Sequence, residues 1–186
     1  QYGCDTLILD DGYQYVKLER DENVLLLDAT NPFGNRRLLP RGILREPLPA
    51  LSRASAVILT RCDQASGVDG LEQEVRRWCP GIPIRRTRHA PSEVWPVGGG
   101  PPLSLADLAG RRVVATCAIA QPEAFHRTLH GLGAEVTQLM AYPDHARIPL
   151  EALPHDALVV TTEKDAVRWP DAPENVYALA IALQDV

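Results

Sequence analysis

Apolar residues in this chain fall in short continuous runs more often than in strict alternation with polar ones. Such runs, bounded by turn residues, mark strands buried on both faces, as in parallel sheets. Val24–Asp28 (VLLLD) and Ala56–Thr60 (AVILT) are examples, and residues 5–11 read as a further short buried strand that ends in two carboxylates and a glycine. Residues 82–88 continue the series. Between these strands the spacing changes to that of helices. Residues 48–54 predict a short helix, and residues 71–78 (LEQEVRRW) a longer one that Gly81 and Pro83 end. Strand, helix and strand in succession predict α/β layering.

Around residues 91–105 the pattern breaks. Pro96, Gly98, Gly99, Gly100, Pro101 and Pro102 predict a flexible joint. The expected organisation is a first domain at 1–95, a Pro/Gly linker at 96–105 and a second domain at 106–186. In the second, residues 112–119 predict a strand and 122–132 a helix, with Pro122 at its start and Gly133 just past its end. Strands follow at 134–142, 157–162 and 175–183. This half reads as a small Rossmann-like unit, with its strand order left open.

With 186 residues, the chain is long enough to bury a core of one domain or two small ones. Its 45% apolar and 23% charged content is that of an ordinary globular protein. A formal net charge of -5 gives no global attraction to nucleic acid, and none is expected as a partner. Two local arginine groups, Arg36/Arg37/Arg41 and Arg85/Arg86/Arg88, are either solvated faces or anion sites. The four cysteines show no C-x-x-C pair, so neither a zinc site nor a disulfide scaffold is expected. Cys4 and Cys117 adjoin apolar runs and are expected to be buried. There is no apolar stretch of membrane-spanning length. The chain opens at Gln1 and soon enters an apolar run, so upstream sequence is expected to precede it.

Candidate chemistry sits at the predicted strand ends. Asp10 and Asp11 follow the first apolar run, where α/β sheets bind ligands and phosphate-handling enzymes place a Mg2+-associated carboxylate. Adjacent carboxylates repel, and a cation would offset this; a solvated Asp-Gly turn explains the same residues. A haloacid-dehalogenase nucleophile is excluded, because Gly12 stands where that pattern needs a second Asp. The segment 31–47 (NPFGNRRLLPRGILREP) is either a shaped phosphate-facing loop or a surface loop. In it, Arg41 and Arg45 offer donor forks that suit phosphate and Glu46 a carboxylate. Asp144 beside His145 is either a pair that orients a working imidazole or a structural strand end. Lys164, in Thr162-Glu163-Lys164-Asp165, reads most simply as one half of an exposed ion pair. No G-x-x-x-x-G-K-[ST] loop occurs.

The motifs in order resemble one family. Asp10-Asp11-Gly12-Tyr13-Gln14-Tyr15 is followed by Arg20-Asp21, then by Gly34-Asn35 and Leu39-Pro40-Arg41-Gly42-Ile43-Leu44-Arg45-Glu46-Pro47. Ala118-Ile119-Ala120-Gln121-Pro122 through Phe125, Tyr142-Pro143-Asp144-His145 and Thr162-Glu163-Lys164-Asp165-Ala166-Val167-Arg168 complete the set. This order is similar to that of the tetraacyldisaccharide 4'-kinases. Tyr15 stands where that family has histidine, Ala118 where it has glycine, and Arg41 where a small residue is common.

The resemblance implies the back half of a P-loop kinase core followed by a Rossmann-like C-terminal subdomain. It implies transfer of the ATP γ-phosphoryl group to the 4'-hydroxyl of a lipid A disaccharide precursor, at the cytoplasmic face of the bacterial inner membrane. Asp10 and Asp11 correspond to the Mg2+-associated pair, and Glu46 to a further active-site carboxylate near the metal. Arg45 and Arg41 are the expected ATP-phosphate contacts. His145, with Asp144 beside it, corresponds to the histidine that serves the acceptor hydroxyl. The phosphate-binding loop, a partner aspartate and the membrane-contacting helix are expected upstream of residue 1, and the chain alone is expected to be inactive. A non-catalytic binding or regulatory module derived from the same fold is the alternative.

Overall fold

The computed structural model describes residues 3–186; Gln1, from which an upstream continuation is expected, lies outside them. The chain divides into two units, Gln1–His89 with Leu183–Val186, and Ala90–Ala182. In the first, β1 (Val24–Asp28) and β2 (Ala56–Thr60) are parallel neighbours in register from Val24↔Ala56 to Asp28↔Thr60. The start of β3 (Ile84–Pro96) adds a third parallel strand through Val57↔Ile84. Between β2 and β3 runs α1 (Val68–Trp78), which begins three residues before the helical spacing predicted. Leu71 and Val75, four apart and therefore on one face, are its buried residues. They join Leu27, Phe33, Leu51, Val57, Leu59 and Cys79 in this unit's core. Residues 48–54, expected as a short helix, form a 3₁₀ turn over Leu48–Arg53.

The expectation for residues 5–11 is overturned. They form no strand, and Leu7 and Ile8 are 80% and 88% exposed. An apolar run becomes a buried strand only with a hydrogen-bonded neighbour and a packed face. Among the described residues the run has neither.

The second unit is built on β4 (Arg112–Cys117), whose residues after Arg112 are all buried. This agrees with a continuous apolar run flanked on both sides. β5 (Glu135–Ala141) pairs with one edge of β4 and β6 (Leu158–Thr162) with the other, both parallel. β7 (Val176–Asp185) lies parallel beyond β6. The order within this unit is therefore β5-β4-β6-β7. The connection from β4 to β5 is α2 (Pro122–Gly131), which has Pro122 in its first turn and buries Phe125 and Leu129. These pack with Leu108, Val113, Ala115, Cys117, Val160 and Leu179 in one core. A second cluster includes Val114, Ile148, Val159, Trp169 and Val176. The order makes this a mixed α/β fold, as the element sequence predicts.

The Pro/Gly stretch lies within this unit and is tied to the start of β7 and to the segment before it. Val97 N–H donates to the Val176 carbonyl (2.9 Å), and the Tyr177 hydroxyl to the Pro101 carbonyl (2.9 Å). At Gly98 the neighbouring chain comes so close that a Cβ would overlap the carbonyl oxygens of Ala172 and Pro173, which is why glycine occupies that position.

Candidate active site

The expected metal-associated pair Asp10-Asp11 lies in a turn, since the segment before it is no strand. Asp11 adopts a left-handed backbone (φ 51°) and accepts a 2.5 Å ion-paired contact from Arg45 Nη1. Asp10 forms no ion pair or hydrogen bond among the described residues. Just beyond, the chain is clamped. Arg20 Nη1 donates to the Gly12 carbonyl at 2.7 Å, and its other amino group to the Tyr15 carbonyl. The Tyr13 hydroxyl reaches the Ala50 carbonyl (2.8 Å), and the Arg53 guanidinium stacks 4.8 Å from the Tyr13 ring centre. Burial pushes the Tyr13 phenol above its ordinary pKa. Arg53 also forms an ion pair with Glu46. Asp11 and Glu46 are thus each held by a separate arginine within this unit.

The loop that carries Arg41 closes on itself. Leu39 N–H donates to the Leu44 carbonyl (2.9 Å), Leu44 N–H to the Arg37 carbonyl (3.2 Å), and Asn35 Nδ2 to the Arg41 carbonyl (2.7 Å). A Cβ at Gly42 would overlap the Arg37 carbonyl and Asn35 Oδ1. The Arg41 side chain makes no ion pair among the described residues. The second arginine group is taken up internally: Arg85 on Asp185, Arg86 on Glu72 and Asp69, and Arg88 on Gln184.

Sequence reasoning missed Asp28. It, and not Asp10, stands at the carboxyl end of a paired parallel strand. Its Oδ1 accepts from the Thr30 hydroxyl (2.7 Å), and its Oδ2 is ion-paired with Arg61, whose own backbone is left-handed (φ 55°). A strand-end acid after VLLL was the available signal.

In the second unit, Asp144 and His145 follow β5. Asp144 Oδ1 accepts a 3.0 Å bond from Lys164 Nζ, and this hydrogen bond holds its carboxyl below the usual range. His145 has φ 63°, and its N–H donates to the Ala118 carbonyl at 3.1 Å. Its Nε2 lies 3.7 Å from Asp144 Oδ2 and 3.5 Å from Lys164 Nζ, and its Nδ1 lies 3.4 Å from Arg168 Nη2. Lys164 belongs to α3 (Glu163–Ala166), which Thr162 caps. The buried Asp165 accepts from the Ala118 N–H (3.0 Å) and the Thr162 hydroxyl (2.7 Å). Ala118 is fully buried, and its φ is not positive, so its Cβ is accommodated.

The family model described as tetraacyldisaccharide-1-P 4'-kinase, LpxK, matches residues 1–185. The chain belongs to the tetraacyldisaccharide 4'-kinase family. The 4'-kinase of Anaeromyxobacter sp. (strain K) is 46% identical over 177 residues, 89% of this chain and 47% of that protein. The 4'-kinase of Desulfatibacillum aliphaticivorans is 39% identical over 204 residues, 99% of this chain and 54% of the relative. The chain spans about half the length of the curated relatives it matches. In fold it is similar to the crystal structure of LpxK from Aquifex aeolicus in complex with ATP, with a TM-score of 0.70 and 29% identity. That likeness covers 94% of this chain and 51% of the other.

Magnesium, which the 4'-kinase resemblance implies, asks for only one or two carboxylates, with water and phosphate oxygens completing the octahedron. Among the described residues no three His, Cys, Asp or Glu side chains gather as a metal-holding set. Asp10 and Asp11 suit the smaller demand. They are adjacent, Asp10 has no competing partner, and the arginine on Asp11 is itself 56% exposed.

Proposed function

We propose that the protein carrying this chain is an ATP-dependent kinase that phosphorylates the 4'-hydroxyl of tetraacyldisaccharide 1-phosphate in lipid A biosynthesis. The observation that carries this reading is the family match over residues 1–185, which takes in the motifs of both units. The ATP bound to the Aquifex aeolicus relative supports the choice of phosphoryl donor.

In this reading Asp10 and Asp11 would hold Mg2+, with Glu46 nearby, and the ion would supply charge neutralisation during phosphoryl transfer. The clamp of Arg20 and Arg53 on Gly12–Tyr15 keeps the acidic turn in one conformation, so positioning is established before substrate arrives. Arg53 orients Glu46. Arg45, now on Asp11, and Arg41 are the donors turned to phosphate oxygens. His145, braced by Asp144 and Lys164, serves the acceptor hydroxyl as a proton acceptor. We assign the front of the chain to the back half of a P-loop core and the part that follows the Pro/Gly stretch to a Rossmann-like subdomain. The enzyme works as a peripheral protein at the cytoplasmic face of the inner membrane, held there by sequence outside this chain; no helix among the described residues is long and apolar enough to cross a membrane. Without a phosphate-binding loop, residues 1–186 alone have no turnover.

The test is ATP-dependent phosphorylation of tetraacyldisaccharide 1-phosphate by the intact protein and by residues 1–186. The expected result is turnover by the first only. In the intact protein, D10N, D11N, E46Q and H145A are each expected to lower turnover by orders of magnitude. Near-normal rates in all four would sink the site assignment, and no turnover by the intact protein would sink the kinase reading.

A further inference from the structure

Among the described residues, His145 is one of four non-glycine residues with a left-handed backbone, at φ 63°. There the side chain crowds the carbonyl that follows, and the conformation persists only where the surroundings fix it. It also decides where the imidazole points. With this backbone the ring nitrogens stand between 3.4 and 3.7 Å from Asp144, Lys164 and Arg168.

The fixing contact lies at the tip of β4. The last paired residues of that strand are Cys117 on the β5 side and Ala115 on the β6 side. Ala118 is therefore beyond both ladders, and it is to its carbonyl that the His145 N–H donates at 3.1 Å. An anchor outside the sheet needs a hold of its own. Asp165 supplies it, because its Oδ2 accepts from the Ala118 N–H at 3.0 Å.

The placement of Asp165 in α3 makes this contact unusual. It stands third after the capping Thr162 and is 2% exposed. In a capping box the acid at that position returns to the backbone N–H of its own cap residue. This one crosses to the neighbouring strand instead, and the Thr162 hydroxyl, donating to the same Oδ2 at 2.7 Å, steadies it there. The cap is complete without the carboxyl, since Thr162 Oγ1 accepts the Asp165 N–H at 3.2 Å. Burying a carboxyl is costly unless its hydrogen bonds are met. The nearby cations do not offset that cost, for Lys164 goes to Asp144 and Arg168 to His145. The group is thus explained by what it holds.

We infer that Asp165 is a positioning residue, which through Ala118 keeps His145 in its left-handed conformation and so sets the direction of the imidazole. Resting on the kinase reading, this makes the rate of phosphoryl transfer depend on a side chain buried out of the substrates' reach.

The experiment has two arms. In residues 1–186, amide hydrogen exchange is measured by NMR in D165A and D165N. The His145 amide should exchange at least about tenfold faster in D165A, as loss of a local hydrogen-bonded hold predicts. The Ala134 amide, bonded to the Leu129 carbonyl just before β5, should change less than about twofold. D165N keeps an acceptor oxygen and should restore most of the protection. In the intact protein, D165A should lower kcat about tenfold to a hundredfold with KM held within about twofold, and D165N should recover most of the rate.

Equal acceleration at His145 and Ala134 would mean general loosening and would overturn the assignment, as would an unchanged His145 amide. If D165A does not fold, T162V carries the exchange measurement, because it removes the donor that steadies the carboxyl. The same selective acceleration is expected there, and its absence overturns the assignment equally. An intact protein without turnover would sink the kinase reading and leave the exchange result standing. An active one in which D165A keeps the parent kcat would sink the positioning role alone.

Discussion

Lys164 Nζ stands 3.0 Å from Asp144 Oδ1, across twenty residues of sequence. The contact joins the turn after β5 to the first turn after β6, and this hydrogen bond is the main cause of the depressed Asp144 carboxyl pKa. A carboxyl that is more acidic folded than unfolded stabilises the fold fully above its unfolded pKa of about 4. That contribution is lost as pH falls through the lower, folded value. K164M should therefore move the Asp144 titration back toward the ordinary Asp range and flatten the acid limb of stability. Carboxyl-detected NMR reads the midpoint, and an unmoved one would remove Lys164 as the cause.

Burial separates two leucines of similar sequence character. Leu129 on α2 is fully buried, while Leu26 on β1 is 57% exposed. Leu129→Ala should cost about 2–5 kcal/mol through lost transfer energy and a cavity. Leu26→Ala should stay within about 0.5 kcal/mol. Urea unfolding of the two variants makes the comparison, and equal losses would contradict the packing described.

The closed loop around Arg41 depends on glycine at position 42. Gly42→Ala places a methyl group on the Arg37 carbonyl and Asn35 Oδ1. A cost of about 1–3 kcal/mol is expected for such overpacking, together with faster proteolysis within residues 35–44. Unchanged stability and cleavage would show that the loop has room to spare.

Cys117 is buried, and desolvation, with the nearby Asp165 adding to it, raises its thiol pKa to about 11. At pH 8 only about one such thiol in a thousand is ionised, and the thiolate is the reactive form. Cys4, expected from its apolar neighbours to be buried, is exposed. Iodoacetamide labelling followed by peptide mass spectrometry should find Cys4 modified first and Cys117 last. Early labelling of Cys117 would mean that its end of β4 opens readily.

The continuous runs of β2, β4 and β6 were legible because burial on both faces leaves no room for alternation; that of β1 was as legible, although Val24 and Leu26 remain exposed. α2 was legible because Pro122 and Gly133 bracket its apolar spacing. The same signal misled at residues 5–11. An apolar run records that burial is suitable, and says nothing of whether a neighbour is present to supply it. Asp10 was therefore credited with a strand end that Asp28 occupies. β3 runs on to Pro96, eight residues beyond the segment expected; prolines mask a strand in sequence although their fixed φ is compatible with extended chain. In the candidate sites, residue types could be read but partners could not. Arg53 on Glu46, and Lys164 on Asp144, arise from distant segments that no spacing rule connects.

Ala118 has a consequence out of proportion to its size. Its amide hydrogen is taken by Asp165 and its carbonyl oxygen by the backbone of His145. One residue at the tip of the central strand thus couples the loops on either side. A substitution that removes the Asp165 carboxylate would leave this buried amide without its acceptor, at the same residue that anchors the backbone of His145.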